Sequence, residues 1–525
     1  MQRNKWENIA GIILFLVSAG LLGVSVFLCF STDIWYDELF TMGLGNQPLG
    51  DLISITARDV HPPFYYMIIK FALFMSDITT GSINQVVIAK LVSVLPFFLC
   101  LIYAATLIRK NFGLLTAGLF SFLLVTMPNL ADYTVEIRMY GFALFFVTAA
   151  MLHAYELVKA QLNDETKVTR FNKCYVNIVM LTIYALAACY THYFACVAAC
   201  MVYLYLLIML LVRKEWRNVG KPFVVSTVVC IVGYLPWLLT VVTMQVEKVS
   251  ENYWIQPLSI RTLGGCVKFL LKPLFTSEMV NIIVAALLFG SFGLLFVLYA
   301  RKVFIKKEET GAAFGFITGC IGALAGLVAF GFLASFLIRP IFVYRYMLPA
   351  VGVFWLAMSI LVMQLKPRTI LLYLFMLLLV ITGLRNYRAF YGEEMWKRVN
   401  MQLANEAIAA IPEEAVLICN FNQTQAVTSY YVPNESYLWY GEPEQLIQEM
   451  FPNNHALVES EFTDEVGINQ ITALLMSGKQ VYFLGSGNAR EELIGKWKAE
   501  MISATEEADI LLERYWMKIF RLFAE

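Results

Sequence analysis

The sequence predicts a polytopic α-helical membrane protein that carries a small α/β domain at its C-terminal end. The composition is the first observation: 59% of the 525 residues are hydrophobic and 15% are charged. Soluble domains are about 45–50% apolar and about 25% charged, so one water-soluble core cannot account for this excess. The second observation is a series of long apolar segments, and the third is the polar character of residues 386–525.

The apolar segments are the candidate membrane spans, because about 20 apolar residues are needed to cross a bilayer as a helix. About eleven are predicted, and the first is too long for a cleaved signal peptide and lacks a small-residue cleavage site after it. They lie at 9–30, 86–108, 113–130, 138–158, 174–190, 193–212, 222–243, 279–300, 312–336, 341–364 and 369–385.

Positive charge follows alternate connections between these segments. The connections that follow the second, sixth and eighth segments are basic, for example at Arg109, Arg213 and Arg301. Lysine and arginine concentrate on the cytoplasmic side of multi-pass proteins. We therefore expect a plasma (inner) membrane protein with a cytoplasmic N-terminus, and eleven crossings place the C-terminal end outside.

The last part of the chain reads as a soluble domain. Residues 386–525 hold 21 acidic and 10 basic residues, a net charge of −11 in a chain whose total is zero. Strands are predicted at 415–419 and 480–484, and helices at 395–411, 466–477 and 489–500, an alternation typical of α/β domains. The predicted domains are thus a transmembrane domain, 1–385, and an extracytoplasmic domain, 386–525. The Gly485–Gly487 sequence is read as a plain turn.

Charge and cysteine content exclude other classes. A net charge of zero gives no global basic field for nucleic acid, so no nucleic-acid partner is expected. Most of the ten cysteines lie in apolar runs, and none forms a Cys/His zinc spacing, which favours buried small side chains.

The first polar cluster stands in the outer loop 31–85, just past the first segment. Asp37 and Glu38 are adjacent and are flanked by Trp35, Tyr36 and Phe40. A carboxylate at such a boundary suits a general base, although a solvated loop with interfacial aromatic residues would have the same sequence.

The second cluster is His61 with Pro62 and Pro63 after it. The following stretch, 67–75, contains Lys70 and is too short to cross the membrane, so it is predicted to be an interfacial helix that the prolines start. His61 fits three roles from the sequence: a base, a phosphate contact, or a structural histidine.

Three further clusters fall on the same predicted outer side. Glu136 and Arg138 either pair with each other or serve the site, and Arg345 is predicted inside an apolar helix near its outer end. A guanidinium there needs an anionic partner, either a carboxylate or a ligand phosphate. The remaining candidates in these clusters are Tyr140, His192, Tyr193 and Tyr346.

Together these motifs resemble those of the bacterial C-type (GT-C) membrane glycosyltransferases, the relatives of protein O-mannosyltransferases and of the lipid A aminoarabinose transferase. The resemblance rests on the Asp37-Glu38 pair, the His61-Pro62-Pro63 segment and, more weakly, on the short motifs Arg138-x-Tyr140, His192-Tyr193 and Arg345-Tyr346. It covers 1–385 in order and topology, and many members also carry an extracytoplasmic C-terminal domain.

The resemblance implies an inverting glycosyltransferase in the lipid bilayer that takes a sugar from a polyprenyl-phosphate donor. Asp37 would be the general base for an acceptor hydroxyl on a glycan, a lipid or a protein, and Glu38 would orient either Asp37 or the acceptor. Arg138 and Arg345 would bind the donor phosphate, and the role of Glu136 stays open. Some relatives use a divalent cation such as Mg²⁺ or Mn²⁺, but this sequence contains no firm ligand set, so metal dependence is left open.

Two other classes compete with this interpretation. A transporter or flippase of a lipid-linked or small substrate predicts an inverted repeat and ionisable groups near the bilayer midplane. The best midplane candidates, His153 and Glu156, lie near the cytoplasmic end of their segment, and no repeat is evident. A non-catalytic assembly or receptor protein would leave the acidic pair unexplained.

Overall fold

The computed structural model describes residues 5–79, 83–160, 167–245, 255–306, 311–364, 370–457, 464–512 and 515–525. These residues form two compact units. The first comprises Met1–Cys29, Thr56–Tyr65 and Lys90–Tyr391, and the second comprises Phe30–Ile55, Tyr66–Ala89 and Gly392–Glu525.

The helices of the N-terminal three quarters of the chain follow the apolar pattern of the sequence. They are α1 (Lys5–Leu28), α2 (Tyr36–Asn46), α3 (Leu49–Arg58), α4 (Phe64–Thr79), α5 (Gln85–Tyr103), α6 (Arg109–Phe112), α7 (Leu114–Thr126), α8 (Tyr140–Ala160), α9 (Lys167–Thr191), α10 (Tyr193–Val212), α11 (Trp216–Thr240), α12 (Ile260–Leu271), α13 (Glu278–Lys306), α14 (Gly311–Leu337), α15 (Leu348–Gln364) and α16 (Ile370–Ala409).

Within the described ranges, ten helices are long and apolar enough to cross a membrane, and α7 is a shorter apolar helix. These ten helices and α7 correspond one to one with the eleven predicted segments. The correspondence confirms a multi-pass helical membrane protein. The third segment is shorter than predicted because Gly113, with φ +97°, starts it late and Met127-Pro128 ends it.

Burial separates the central helices of the first unit from the peripheral ones. Every residue from Tyr140 to Val158 in α8 is buried, whereas the segment Trp216–Gln245 leaves most of its apolar side chains exposed. Ile231 and Val232 are each 61% exposed. An apolar helix with such an outer face requires lipid rather than water around it.

Two glycines allow close contact between α1 and α7. A Cβ atom on Gly118 would lie 2.0 Å from the Gly11 carbonyl oxygen, and one on Gly11 would lie 2.5 Å from the Leu114 carbonyl oxygen. The two backbones therefore touch, as at the small-residue interfaces common between membrane helices.

Replacing Gly118 with valine should destabilise the protein by about 1–3 kcal/mol, because the helices must move apart to accept the side chain. Thermal unfolding in detergent, followed by tryptophan fluorescence, measures the change. Gly20→Val in α1 is the matched control, because a Cβ there meets nothing within 4 Å. Equal melting temperatures for the two variants would contradict the proposed contact.

The C-terminal part of the second unit is an α/β domain. Its elements are β1 (Val416–Cys419), α17 (Asn422–Tyr431), β2 (Ser436–Leu438), α18 (Gln445–Met450), β3 (Asn454–Ala456), α19 (Asp464–Met476), β4 (Val481–Ser486), α20 (Ala489–Ala499), β5 (Ile502–Leu512) and β6 (Tyr515–Ala524).

These strands form one six-stranded sheet in the order β3-β2-β1-β4-β6-β5. Strands β3, β2, β1 and β4 are parallel, and β6 pairs antiparallel with both β4 and β5. The core beside the sheet contains Trp439, Phe483, Trp497 and Phe520. Both predicted strands are present, and Gly487, with φ +66°, makes the predicted turn after β4.

Helix α16 differs from the sequence prediction. The predicted domain boundary at residue 385 falls inside it, and the predicted helix 395–411 is its last part rather than a separate element. No proline interrupts residues 370–409, so nothing in the backbone forces a break, and Pro412 follows just beyond the end.

Candidate functional site

The acidic pair occupies the first turn of α2 in the second unit. Asp37 is half-buried and Glu38 is buried. A carboxylate in the first turn of a helix is stabilised by the partial positive charge of the helix N-terminus. The Glu38 carboxylate accepts a hydrogen bond from the Trp35 backbone N–H at 3.2 Å. Glu38 therefore caps the helix.

Residues far along the chain hold the segment that leads into α2. The Tyr431 hydroxyl accepts from the Ile34 backbone N–H at 3.1 Å and donates to the Thr32 carbonyl oxygen at 2.8 Å. The Tyr36 hydroxyl donates to the Glu444 carboxylate. Tyr431 and Glu444 were not predicted as site residues, since nothing in the local sequence links them to the loop 31–85.

An imidazole and tyrosine cluster lies in the first unit. His192 is the single residue between α9 and α10, and it is buried. Its ring lies 5.0 Å from that of Tyr346, 5.3 Å from that of Tyr140 and 6.0 Å from that of His61, measured between centroids. Its Nδ1 accepts from the Phe194 backbone N–H at 3.1 Å, which caps α10.

Positive charge surrounds this buried imidazole. Burial lowers the pKa of His192 well below its usual range, and the charges of His61, Arg138 and Arg345 lower it further. His192 is therefore neutral at physiological pH, while the two arginines stay charged. Arg138 is buried, with its guanidinium carbon 6.0 Å from the centre of the Tyr140 ring. The first unit thus concentrates two permanent cations around neutral aromatic groups.

Arg345 occupies a different local structure from the predicted one. The sequence prediction placed it inside an apolar helix, but it stands in a single 3₁₀ turn, Tyr344–Met347, directly before α15. Pro340 disfavours helix before it, and Ser335 Oγ accepts from the Ile341 and Phe342 backbone N–H groups at 3.1 Å each. The backbone is therefore still extended at Val343, and the helix starts later than predicted.

Two other candidates, His61 and Tyr193, are held by hydrogen bonds to neighbouring side chains. His61 Nδ1 lies 3.1 Å from Asp59 Oδ2, which fixes the orientation of the ring. The Tyr193 hydroxyl donates to the Gln245 side-chain oxygen, and Gln245 Nε2 donates to the Thr56 carbonyl oxygen at 2.9 Å. Tyr193 thus belongs to a hydrogen-bonded chain that reaches the end of α3.

Glu136 is connected to this cluster through Tyr133. Burial raises the pKa of the Tyr133 hydroxyl, the charge of Glu136 raises it further, and the charge of Arg345 opposes that effect. The Tyr133 ring also lies 5.2 Å from the Tyr140 ring. The structure therefore groups all the predicted site residues of the first unit except Tyr193 around His192 and Tyr133, while Asp37 and Glu38 belong to the second unit.

The midplane residues that a transporter would use make structural contacts. His153 Nδ1 lies 2.8 Å from Asn177 Oδ1, and its Nε2 lies 3.0 Å from the Tyr103 hydroxyl. Glu156 pairs with Lys110 at 3.2 Å and accepts from Asn111. These bonds tie α8 to its neighbours, which accounts for both residues without a transported substrate.

A metal site was left open by the sequence. Within the residues that the structure describes, no group of three His, Cys, Asp or Glu side chains is arranged to hold a metal ion.

Comparisons with known proteins give similarity in structure only. No protein-family model matches the chain, and no curated protein matches it in sequence. The crystal structure of ArnT from Cupriavidus metallidurans bound to undecaprenyl phosphate matches with a TM-score of 0.58 at 13% identity, over 97% of each chain. The same protein in the apo state matches with a TM-score of 0.59 at 13% identity, again over 97% of each chain.

This similarity covers both the membrane helices and the C-terminal domain, because it extends over nearly the whole length of both chains. The predicted fold class is therefore confirmed: the chain has the C-type glycosyltransferase fold that ArnT also has.

Proposed function

We propose that this protein transfers a sugar from a polyprenyl-phosphate donor to an acceptor hydroxyl on the extracytoplasmic face of the inner membrane, with inversion at the anomeric carbon. The observation that carries the proposal is the pair of arginines, Arg138 and Arg345, around the buried, neutral His192. A lipid phosphate is an anion that reaches a membrane protein from the bilayer, and guanidinium groups bind phosphate with several donors at once.

The position of Arg345 adds to this argument. It lies one turn before the N-terminus of α15, where the helix dipole is positive. The positive end of the helix and the guanidinium together attract an anion. A donor phosphate is an anion of this kind.

Asp37 is the better candidate for the base. Glu38 is buried and its carboxylate caps α2, so it serves the local fold. Asp37 is half-buried in the same turn, and the hydrogen bond that Thr41 Oγ1 donates goes to its backbone oxygen. We assign to Asp37 the role of proton acceptor. Glu38 orients the helix that carries Asp37.

In the proposed reaction the acceptor O–H gives its proton to the Asp37 carboxylate as the acceptor oxygen attacks the anomeric carbon. The bond between that carbon and the phosphate oxygen breaks, and the polyprenyl phosphate leaves with the bonding electron pair. Arg138 and Arg345 stabilise the developing charge on the phosphate oxygens. Attack opposite the leaving group inverts the anomeric configuration, and Asp37 later releases its proton to water.

The structural neighbour supports the donor class. ArnT was crystallised with undecaprenyl phosphate, and the present chain has the same fold over 97% of its length. A bound polyprenyl phosphate is what remains of a donor after the sugar leaves. We extend that ligand class to this chain as part of the proposal.

Turnover by the purified full-length protein in detergent tests the function. A panel of polyprenyl-phosphate sugars is offered with glycan, lipid and peptide acceptors, and product is detected by mass spectrometry. We expect release of polyprenyl phosphate together with a glycosylated acceptor. Absence of turnover with every donor, from protein that remains folded, would reject the proposal.

The orientation of the chain has its own prediction, because the acidic pair must face the outside. A cysteine at Met476, 78% exposed in the C-terminal domain, should react with an impermeant thiol reagent on intact cells. A cysteine at Arg217, which is exposed in the first turn of α11 beside basic residues, should react only after the membrane is permeabilised. The wild-type protein gives the background from native cysteines, and the reverse labelling pattern would invert the topology.

A further inference from the structure

The second unit contains a cavity of about 460 Å³, within the range of about 300–1,000 Å³ typical of small-molecule sites. Segments from three distant parts of the sequence form its wall: the stretch before α2, the start of α5, and the C-terminal part of the chain. The lining residues are Thr32, Asn84, Gln85, Val86, Asn405, Tyr430 and Tyr431.

The lining is polar but carries no charge. Six of the seven lining side chains have a hydroxyl or a carboxamide, and none is acidic or basic. Burial raises the pKa of Tyr430 to about 12, so its hydroxyl stays neutral. Burial also raises the pKa of Tyr431, well above its usual range.

Several of these polar groups have donors or acceptors that make no hydrogen bond to the described residues. Asn84 uses its side-chain oxygen to cap α5 at Val86, and Gln85 uses its oxygen to accept from Asn46. Their NH₂ groups remain as donors. Asn405 donates to Thr32 Oγ1 at 3.2 Å and keeps its carbonyl oxygen as an acceptor. The Tyr430 hydroxyl makes no hydrogen bond to the described residues and can both donate and accept.

Two tyrosines add apolar surface to this polar lining. The Tyr430 and Tyr431 rings are perpendicular with centroids 5.5 Å apart, and Phe451 packs edge-on against Tyr430. Tyr431 is fixed by its bonds to Ile34 and Thr32. The rings therefore present fixed faces and edges, the kind of surface on which the C–H groups of a ligand pack.

These properties select one class of ligand. An anion would find no cation among the lining residues, and a hydrocarbon would cover the free amide and hydroxyl groups without giving them hydrogen bonds. A sugar offers hydroxyl groups that both donate and accept, together with C–H groups for the tyrosine rings. We propose that this cavity binds an uncharged carbohydrate.

The place of the cavity suggests which carbohydrate it takes. Thr32 lies in the wall and precedes Asp37 by five residues, in the segment that Tyr431 holds. Under the proposed function, on which this step rests, the occupant is the acceptor glycan, whose hydroxyl the Asp37 carboxylate deprotonates. The acceptor class is then a neutral glycan, rather than a phosphorylated lipid or a peptide.

A glycan array tests the cavity without any donor or turnover. Fluorescently labelled full-length protein in detergent is applied to immobilised neutral glycans and to sialylated and sulfated ones. We expect neutral glycans to be bound and the binding to be competed by the same glycan in solution. The double variant Asn405→Ala/Tyr430→Phe, which removes two hydrogen-bonding groups, should lower the affinity about tenfold or more.

The control is Gln402→Ala, which lies one turn before Asn405 on α16 and bonds Glu406 instead of lining the cavity. It should bind glycans as the wild type does. Tyr430→Phe alone keeps the ring and serves as the variant least able to disturb folding, with a smaller loss expected.

Binding of no neutral glycan, binding of acidic glycans only, or equal binding by the wild type and the double variant would each overturn the proposal. The outcome is separable from that of the proposed function. Donor turnover without neutral glycan binding would reject the cavity assignment alone. Neutral glycan binding without turnover of any donor would reject the transferase instead.

Discussion

Asp37→Asn should lower turnover by about 10²–10⁴-fold while leaving the affinity for undecaprenyl phosphate largely intact. General base catalysis contributes a factor of that order, and asparagine keeps the shape of the side chain but cannot accept the proton. The hydrogen bond from Thr41 uses the Asp37 backbone oxygen, so the substitution does not remove it. An effect on kcat with little change in donor binding identifies an interaction made in the transition state.

Glu38→Gln is the matched control one residue along. The side-chain oxygen of glutamine can still accept from the Trp35 backbone N–H, so the cap of α2 persists and only the charge is lost. We expect a much smaller loss of turnover than for Asp37→Asn. Near-normal turnover in Asp37→Asn would reject the base assignment. If Glu38→Gln were then inactive, the role would move to Glu38.

Much of the fold could be predicted because its main determinants are local. Each membrane helix is a run of apolar residues, and the breaks between the runs are marked by charge, glycine or proline. The short connection predicted between segments 174–190 and 193–212 and the helix predicted after Pro62-Pro63 are of this kind, and both are present. The C-terminal part of helix α16 was not predicted, because the helix continues from apolar into polar sequence without a proline. Composition alone places a domain boundary at that change.

The candidate site was predictable as a set of residue types but not as an arrangement. Arg138, Tyr140, His192 and Arg345 stood out because polar groups are costly in an apolar chain. What holds the acidic segment could not be predicted: Tyr431 bonds a backbone N–H that is 397 residues earlier in the sequence. A buried tyrosine in a soluble domain carries no sequence signal of that contact. The cavity likewise depends on side chains from three separate segments.

The phosphate assignment makes the second large prediction, and it concerns binding rather than turnover. Arg138→Gln and Arg345→Gln should each weaken binding of undecaprenyl phosphate, measured with the purified protein in detergent. A hydrogen bond to a charged group contributes about 1.5–3 kcal/mol, which corresponds to about 10- to 100-fold in affinity. Glutamine is shorter than arginine but keeps a polar end, so the variant does not place a hydrocarbon in the site.

Arg385→Gln is the control, because Arg385 also belongs to the first unit but donates to the Leu274 carbonyl oxygen at 3.1 Å and stacks on Phe275. It should bind undecaprenyl phosphate normally. Arg138→Lys and Arg345→Lys separate charge from geometry: lysine restores part of the affinity if charge dominates, and little if the planar guanidinium is required. Unchanged affinity in folded Gln variants would assign both arginines to internal ion pairs.

The double variant distinguishes one phosphate site from two independent effects. If Arg138 and Arg345 bind the same phosphate, removing one arginine changes how strongly the other interacts with that phosphate. The effects of the two substitutions on affinity are then coupled and do not add. If the two arginines instead stabilised separate parts of the fold, the losses of thermal stability in the single variants would add in the double variant. Their effects on undecaprenyl phosphate affinity would then show no coupling. The proposed site therefore requires non-additive losses in undecaprenyl phosphate affinity, with melting temperatures that stay close to that of Arg385→Gln.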